Sequence, residues 1–214
     1  MSAKSCNHHH CYHGNCDRKK LFRRIVFGVL IFIILGLLAI FIIWLVLRPS
    51  KPSFYLQDAS IAQFNFTAGT NLLTAIMQVT VSTRNPNDRI GIYYDKLDAF
   101  AVYKDQQITT STELPTGYQG HNDVVVWSPY LYGVAVPVTP YLSVALDQDI
   151  AAGLLLVDIN VEGQLRWKVG TWTSGYYHIS VTCPAFVGID HGSGSNGDAP
   201  SFHFQHAAWC AVDV

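Results

Sequence analysis

Residues 157–169 read VDINVEGQLRWKV, and this stretch decides the fold class. Apolar residues and one glycine alternate with polar residues at every position, as Val157, Ile159, Val161, Gly163, Leu165, Trp167 and Val169 against Asp158, Asn160, Glu162, Gln164, Arg166 and Lys168. Strict alternation with a period of two is typical of a β-strand that has one buried and one solvated face. The stretch therefore predicts a long strand that covers a core on one side.

Three further stretches show the same alternation. Their apolar positions are Leu73, Ala75, Met77, Val79 and Val81, then Tyr177, Ile179, Val181 and Cys183, then Ala208, Cys210, Val212 and Val214. Turn-forming residues separate these stretches, and the sequence shows no amphipathic helix of the length that a parallel crossover needs. We therefore expect about seven or eight short strands in an antiparallel β-sandwich, an all-β fold behind one N-terminal helix.

The segment 25–47 contains 23 consecutive residues without a charge. As a helix it would be about 34 Å long, which is enough to cross a bilayer. A buried helix of a soluble protein is the less favoured alternative for a run this long and apolar. A cleavable signal peptide has a shorter apolar core, and Trp44, Arg48 and Pro49 stand where its small-residue cleavage site would be. We therefore expect an uncleaved transmembrane signal anchor.

The charges on either side of this segment predict its orientation. Five basic residues closely precede it and two follow it, namely Arg18, Lys19, Lys20, Arg23 and Arg24 against Arg48 and Lys51. The positive-inside rule then keeps the N-terminus cytoplasmic and exports the C-terminal part. Asn65-Phe66-Thr67 is an acceptor sequon, so we expect Asn65 to be glycosylated.

These features divide the chain into four parts. They are a basic cytoplasmic tail rich in Cys and His (1–24), the transmembrane segment (25–47), a linker (48–53) and an exported domain (54–214). The tail holds six Lys or Arg residues against Asp17, which gives it a net charge of +5. Because the whole chain has a net charge of −1, the remaining residues carry a net charge of −6. An acidic domain lacks the clustered basic residues that track phosphates, so nucleic acid is not an expected partner.

The uncharged run VVVWSPYLYGVAVPVTPYLSVAL at residues 124–146 is long enough to imitate a second span. Pro129, Pro137 and Pro140 argue against a membrane helix, because each removes a backbone donor. The β-branched content of the run favours strands. We expect two buried strands here, with a second span as the less favoured alternative.

The stretch STRNPNDRIGIYYD at residues 82–95 has a sufficient structural explanation. Pro86 fixes its own φ angle, Asn87 tolerates the left-handed region and Gly91 permits a bulge or a close backbone approach. The stretch can therefore end one strand and begin the next without a catalytic role. Asp95 would need a neighbouring base to take part in acid–base catalysis. His121 is the candidate base nearby, but the sequence does not place it beside Asp95.

The same stretch resembles the signature of the plant NDR/HIN-like family, whose exported part is a late-embryogenesis-abundant type 2 domain. Further similarity lies in YQGH (118–121), RWKVG (166–170), CP (183–184) and CAVDV (210–214), so that the resemblance covers residues 20–214. The motif residues in the first two elements are Asn85, Pro86, Asn87, Arg89, Gly91, Tyr93, Tyr94, Asp95, Tyr118, Gln119, Gly120 and His121.

Several properties are implied by this resemblance. The family implies an immunoglobulin- or fibronectin-like β-sandwich, a plasma-membrane location that often includes plasmodesmata, and roles in pathogen and stress responses. It implies no enzymatic activity and no cofactor. The sequence departs from the family after His121, where Asn122-Asp123 stands in place of a frequent sequon. It also has no hydrophobic C-terminal tail, so we expect no C-terminal lipid anchor.

Cysteine and histidine in the tail offer two modification chemistries. Cys6, Cys11 and Cys16 are interspersed with four histidines, but the C-x4-C-x4-C spacing matches no structural zinc pattern. Acylation of the juxtamembrane Cys16 is favoured over a metal site, and a solvated tail without either is favoured over both. In the exported domain, no hydrolase, metalloprotease, phosphate-binding or dinucleotide-binding motif is present, so an enzyme is the weakest of the classes considered.

Cys183 and Cys210 are the two cysteines of the exported domain. Each lies on the apolar phase of its predicted strand, so both can point into the same interior, and an oxidising compartment permits a bond between them. We expect a disulfide, with two buried free thiols as the alternative.

Two functional hypotheses remain. In the first, the protein is a plasma-membrane-anchored recognition or scaffold module of plant defence, and its partners are the bilayer and an unidentified membrane or cell-wall protein. In the second, it is a lipid-binding or membrane-protecting module in abiotic stress, in which the run 124–146 lines a groove between sheets.

Overall fold

The chain forms two compact units, Met1–Arg48 and Pro49–Val214. The structure is a computed structural model that describes residues 13–46, 48–67, 71–190 and 201–214.

The first unit contains one long helix. Helix α1 spans His13–Val46, and within it Leu21–Ile42 is long and apolar enough to cross a membrane, with a mean hydropathy of 3.3. A helix is the expected conformation for such a segment, because it satisfies every backbone hydrogen bond internally when no water is available. The helix begins well before the predicted start at residue 25, so part of the basic tail is helical too. Cys16 lies in this helical extension.

The second unit consists mainly of strands, fourteen of which lie among the described residues. They are β1 (Ser53–Thr67), β2 (Leu72–Arg84), β3 (Gly91–Tyr103), β4 (Gln106–Gln107), β5 (Thr112–Glu113), β6 (Gly117–Gln119), β7 (Val124–Trp127), β8 (Tyr130–Pro137), β9 (Leu154–Val169), β10 (Trp172–Thr173), β11 (Tyr177–Asp190), β12 (Ser201–Phe204), β13 (Ala208–Trp209) and β14 (Ala211–Asp213). The expected seven or eight short strands are therefore wrong in number. Five strands are 13–16 residues long, and shorter strands pair with parts of them.

The strands form two antiparallel sheets over a shared core, which confirms the all-β class. One sheet has the order β13-β1-β2-β7, and β8 also pairs with β2. The other has the order β12-β11-β9-β3-β4, while β10 pairs with β9, β14 with β11, and β5 and β6 with β3. All paired strands are antiparallel.

Burial follows the predicted alternation closely in the long strands. In β9, the apolar positions from Val157 to Trp167 are buried apart from the half-buried Gly163, and those from Leu73 to Val81 in β2 are buried as well. The pattern is weaker at the C-terminus, where Cys210 and Val212 are half-buried and Val214 is exposed. The difference arises because β13 and β14 are short strands that each pair with one neighbour.

The run 124–146 is the clearest correction to the sequence-based expectation. It forms β7 and β8 and then enters helix α2 (Pro140–Ala152), which was not predicted. Thr139 caps this helix by accepting a hydrogen bond from the Leu142 amide (3.4 Å), Pro140 occupies its first turn, and Gly153 ends it in the left-handed region at φ 78°. The two strands are not fully buried either. Their outward side chains are exposed, namely Val124, Val126, Tyr130, Tyr132 and Val134.

Strand β3 contains an irregularity that positions its outward side chains. Its pairing with β9 shifts between Tyr94 and Lys96, so the buried phase passes from Tyr94 to Leu97. Gly163 lies opposite this shift, where an added Cβ would come within 1.9 Å of the Lys96 carbonyl oxygen. Only glycine fits this close approach. The shift leaves Asp95 and Lys96 both exposed.

Candidate functional site

The turn between β2 and β3 is organised by the buried side chain of Asn85. Its Nδ2 donates to the carbonyl oxygens of Ile90 (2.7 Å) and Gly120 (2.8 Å), and its Oδ1 accepts from the backbone amide of Asn87 (3.1 Å). The whole amide is therefore used, as a buried polar group requires. Asn85 holds both arms of its own turn and joins that turn to the segment after β6.

Asn87 fastens the beginning of the domain to this turn. Its Nδ2 donates to the Ser50 carbonyl oxygen (2.8 Å), and its Oδ1 accepts from the Ser50 amide (2.9 Å). The Asn122 amide in turn donates to the Asn87 carbonyl oxygen (3.3 Å). Motif residues at this end of the domain therefore fix the entry of the chain.

Tyr94 and Gln119 connect the two sheets across the core. The Tyr94 hydroxyl donates to Gln119 Oε1 (3.0 Å), and Gln119 Nε2 donates to the carbonyl oxygens of Thr83 (3.0 Å) and Asp123 (3.0 Å). Burial raises the pKa of Tyr94 well above its ordinary value, so the phenol stays a neutral donor. Two motifs that are distant in sequence thus form one buried hydrogen-bond network.

Other motif residues meet on the outer face of the nine-stranded sheet. The Tyr118 ring covers Gly91, where an added Cβ would lie 2.4 Å from the phenol oxygen. The rings of Tyr93 and Tyr118 are 4.8 Å apart. Lys168 Nζ lies 5.0 Å from the centroid of the Tyr118 ring and donates to the Tyr93 hydroxyl (3.1 Å). Gly91 therefore has a local reason to lack a side chain.

Arg166 extends this arrangement along the same face. Its Nε donates to Asp95 Oδ2 (2.7 Å), and a second guanidinium nitrogen donates to the other carboxylate oxygen. The guanidinium lies 5.7 Å from the Tyr93 ring centroid and 5.1 Å from that of Tyr176. The hydrogen bonds with Asp95 raise the pKa of Arg166. Asp95 thus pairs with Arg166, and no contact joins it to His121 among the described residues.

We call these side chains the tyrosine–cation patch, defined as Tyr93, Tyr118, Tyr176, Arg166 and Lys168. The two cations differ in their partners. Arg166 is neutralised by a carboxylate, whereas Lys168 donates to a phenol, and this hydrogen bond raises the pKa of Lys168. Arginine and lysine over tyrosine rings form cation–π contacts, which hold long side chains in one place. The patch presents aromatic faces together with a cation that lacks a carboxylate partner in the described structure.

The spacing of polar residues along two strands was a sequence signal for this patch. Arg166 and Lys168 fall two residues apart on the wet phase of β9, and Tyr93 and Asp95 do the same on β3. Side chains two residues apart share a face of a strand. The sequence did not show that β3 and β9 are neighbours in register, with Tyr93 opposite Arg166.

The remaining predicted site residues lie outside the tyrosine–cation patch. Cys183 and Cys210 form a disulfide with a Cα–Cα distance of 4.3 Å, which confirms that prediction and excludes the free-thiol alternative. Asn65 is exposed on β1, and its glycosylation stays a prediction. Three further motif residues, Pro86, Arg89 and His121, are exposed. The acylation of Cys16 also stays a prediction.

No group of three or more His, Cys, Asp or Glu side chains that could hold a metal occurs in the described part of the chain, and Cys6 and Cys11 lie outside it. His203 Nδ1 lies 3.2 Å from Asp190 Oδ2, which resembles the base and orienting acid of a catalytic set. The His203 ring covers Gly188, however, and among the described residues it makes no hydrogen bond with a hydroxyl or thiol. The described structure therefore gives this pair no hydrogen-bonded nucleophile.

The fold and these motifs define a β-sandwich protein with an apolar N-terminal helix, and comparison with known proteins gives its family. Residues 80–183 match the family described as late embryogenesis abundant protein, LEA_2. The chain is 48% identical over 186 residues to "NDR1/HIN1-like protein 1" of Arabidopsis thaliana, covering 86% of this chain and 88% of that one. It is 41% identical to "NDR1/HIN1-like protein 12" of the same plant over 100% of both chains. The chain therefore belongs to the NDR1/HIN1-like family, as its motifs indicated.

A third relative, "NDR1/HIN1-like protein 26" of Arabidopsis thaliana, is 36% identical over 83% of this chain and 82% of its own. Membership of this family implies a role related to stress or defence. The proteins of these families are generally not enzymes.

Proposed function

We propose that this protein is a plasma-membrane-anchored, non-enzymatic component of plant defence or stress responses whose β-sandwich recognises a protein partner. The observation that carries the proposal is the tyrosine–cation patch, because three separate family motifs contribute to it. Tyr93 comes from the first motif, Tyr118 from the second and Arg166 with Lys168 from the third.

The patch has the physical properties of a recognition surface. Tyrosine offers a large, rigid contact area at low cost in conformational entropy, and Tyr118 and Tyr176 are 46% and 67% exposed. The Arg166–Asp95 pair and the ring contacts hold the cations before a partner arrives, which reduces the entropy lost on binding. An acidic or aromatic group of the partner would complement Lys168.

The site chemistry favours binding over turnover. The buried network of Asn85, Tyr94 and Gln119 satisfies its own polar groups and has no access to a substrate. Among the described residues, no exposed histidine forms a hydrogen bond with a hydroxyl or thiol. We therefore assign the family motifs to folding and recognition rather than to catalysis.

Localisation belongs to the same proposal. The apolar part of α1 acts as a signal anchor, the basic flank keeps the N-terminus in the cytosol, and the domain faces the cell wall. The plasma membrane, including plasmodesmata, is the expected site. The exposed position of Asn65 is compatible with its glycosylation on the exported side.

A lipid-binding or membrane-protecting role is the second candidate. Its original motivation was a groove between the sheets lined by the run 124–146, but Val124, Val126 and Val134 lie on the outer surface. The exposed apolar side chains of β7 and β8 still favour some contact with an apolar partner. Extraction of lipid with the purified protein would support this role over protein recognition.

The proposal is tested in a plant line that lacks the protein and is challenged with a bacterial pathogen. Wild-type protein should restore resistance and capture a protein partner, whereas a Tyr118→Ala, Lys168→Ala variant should do neither because its patch is lost. The matched control is Tyr130→Ala, Tyr132→Ala, which removes a stacked, equally exposed pair from the other sheet (centroids 6.1 Å apart) and should behave as wild type.

Each part of the proposal has its own contradicting result. Full rescue by the patch variant would remove the patch from the function. Full rescue by a chain lacking residues 21–47 would show that membrane anchoring is not required for the function. Unchanged resistance in a line that lacks both this protein and its NDR1/HIN1-like relatives would contradict the defence role.

A further inference from the structure

The exposed tryptophans of the sandwich are concentrated at one end. Trp172 is 63% exposed and Trp209 is 72% exposed, whereas Trp127 and Trp167 are buried. Trp172 lies in the hairpin that follows β9, and Trp209 pairs with Tyr55 near the start of β1. Both are at the end where the chain enters the domain, which we call the linker end. Ser53 pairs with Arg84 there, and Gly91 with Lys168.

Charge is distributed along the domain in the same sense. Five of the seven basic residues between positions 49 and 214 lie at or near the linker end, namely Lys51, Arg84, Arg89, Arg166 and Lys168. Four acids lie near the same end, namely Asp88, Asp95, Asp123 and Asp213, and two of them pair with Arg166 and Lys51. The side chains of Arg84 and Arg89 are exposed and have no hydrogen bond or ion pair within the described residues. At the opposite end, Lys104 accompanies a group of acids, namely Asp105, Asp147, Asp149, Asp158 and Asp190.

Tryptophan with unpaired arginine is the combination that suits the interface of a phospholipid bilayer. Indole rings favour the headgroup region because one edge is polar and the body is apolar. Arginine binds phosphate oxygens with two parallel hydrogen bonds. The opposite end carries a group of acids and offers few cations to phosphate oxygens, so the same orientation is favoured.

The length of the connection makes this surface available to the bilayer that would hold the helix. Helix α1 ends at Val46 and β1 begins at Ser53, so six residues connect them. Six residues extend to at most about 20 Å. A longer connection would let the domain leave the headgroup region, whereas this one keeps it within reach.

We propose that the linker end of the sandwich binds the phospholipid surface, with Trp172 and Trp209 in the headgroup region and Arg84 and Arg89 on lipid phosphates. This inference rests on the proposed anchoring by α1. It goes beyond that anchoring because it makes the domain itself a lipid-contacting unit. The tyrosine–cation patch, whose Lys168 pairs with Gly91 next to the same end, would then be held close to the membrane.

The test uses the full chain reconstituted in phosphatidylcholine nanodiscs in which the acyl chains carry bromine near the headgroup. Bromine quenches only nearby tryptophans. In a Trp44→Phe background, which removes the tryptophan of the apolar segment, emission should be quenched, and adding Trp172→Phe or Trp209→Phe should each remove part of that quenching. A matched control adds Tyr141→Trp, a 78% exposed position on α2 at the opposite end, which should contribute no quenching.

The outcomes separate this inference from the anchoring on which it rests. The anchoring itself would be contradicted if the unchanged protein failed to co-elute with nanodiscs. It would also be contradicted if Trp44→Phe removed no quenching from the unchanged protein, because Trp44 would then lie outside the bilayer. A quenched Trp44 with Trp172 and Trp209 no more quenched than Tyr141→Trp would overturn the lipid contact alone. Trp172 and Trp209 that are shielded from a soluble quencher without bromine quenching would indicate contact with a second copy of the chain, and this would also overturn it.

A second variant tests the arginines. Arg84→Gln, Arg89→Gln should reduce the quenching of Trp172 and Trp209 in nanodiscs, because two phosphate contacts are lost. Lys104→Gln is the control at the opposite end and should leave the quenching unchanged. Equal quenching in both variants would show that arginine does not contribute to the contact.

Discussion

Single polar side chains of the family motifs stabilise the turns at the linker end, as the structural explanation of the stretch 82–95 predicted. Asn85 is the central example, because it is 0% exposed and its amide bonds to Ile90, Gly120 and Asn87. Removing such a group leaves its partners unpaired in a place that water does not reach. The stability of the domain should therefore depend strongly on this one amide.

We expect Asn85→Ala to lower the free energy of unfolding by about 2–4 kcal/mol, since three backbone groups lose their partner. Urea denaturation followed by intrinsic fluorescence measures the change. Asp88→Ala is the control. Asp88 is exposed and its Oδ1 accepts a hydrogen bond from Asn122 Nδ2 (2.7 Å), so its loss should change stability by less than about 0.5 kcal/mol. Equal effects of the two variants would contradict the role of the buried amide.

Tyr94 makes stability depend on alkaline pH. Burial raises the pKa of this phenol in the folded protein above its unfolded value of 10.0, so the folded state keeps a proton that the unfolded state loses. The stabilising contribution is fully present below pH 10 and is lost as the pH rises further. Tyr103 acts in the same direction, because burial and its hydrogen bond with Asp149 raise the pKa of Tyr103 to about 12.

We expect the free energy of unfolding to fall above pH 10 by about 1.4 kcal/mol per pH unit for each of these tyrosines. Tyr94→Phe should lower stability at pH 8 and reduce the slope between pH 10 and 11. Tyr177→Phe, at an exposed tyrosine, is the control and should keep the wild-type slope. Urea midpoints at a series of pH values give both quantities. An unchanged slope in Tyr94→Phe would contradict the role of its ionisation.

At the level of strands and helices, the periodicity of the sequence predicted which faces of the long strands are buried. The alternation in β9 and β2 predicted their buried faces correctly, because the two faces of each strand differ from one another in polarity along the strand. Helix α2 was missed because it follows two strands inside one uncharged run, where neither a period of two nor one of 3.6 stands out. Its capping residues, Thr139 and Gly153, were nonetheless present as a local signal.

The register shift in β3 shows why the patch could not be assembled from sequence. The apolar phase changes from even to odd positions between Tyr94 and Leu97, and this change was visible in the sequence. Its cause was not, because the bulge is set by the partner strand, where Gly163 admits the Lys96 carbonyl oxygen. Partner strands and their register are long-range properties. The proximity of Tyr93 to Arg166 therefore required the structure.

The disulfide makes the C-terminal strands part of the sandwich. Strands β13 and β14 have two and three residues, and the Cys183–Cys210 bond ties the segment between them to β11. The bond closes a loop with a sequence separation of 27. Constraining the unfolded chain over this length stabilises the fold by about 3–4 kcal/mol in the chain-entropy description.

We therefore expect Cys183→Ala, Cys210→Ala to unfold at a lower urea concentration, corresponding to a loss of about 3–4 kcal/mol or more, because a half-buried contact is lost too. Hydrogen exchange should rise first in β13 and β14, which would lose their covalent attachment. Reduction of the wild-type protein should reproduce both effects. Unchanged exchange at residues 208–213 in the reduced protein would show that strand pairing alone holds this segment.

At the scale of the whole molecule, the flanking charges and the sequon make one joint prediction about topology. The basic flank before the apolar segment favours a cytosolic N-terminus, which places Asn65 on the side where glycans are added. Asn65 is exposed in β1, opposite Thr74, so a glycan there would project without disturbing the core. The two features are independent, and they lead to the same orientation.

We expect the protein from plant cells to lose mass on enzymatic deglycosylation, and Asn65→Gln to abolish this loss. Two further variants separate the glycan from the asparagine itself. Thr67→Ala destroys the sequon and should also abolish the loss, whereas Thr67→Ser preserves the sequon and should keep it. On intact protoplasts, antibody should reach a C-terminal tag but not an N-terminal one, because the membrane protects the cytosolic side. Labelling of the N-terminal tag with protection of the C-terminal tag would reverse the topology, and the lipid contact proposed for Trp172 and Trp209 would then be with the inner leaflet.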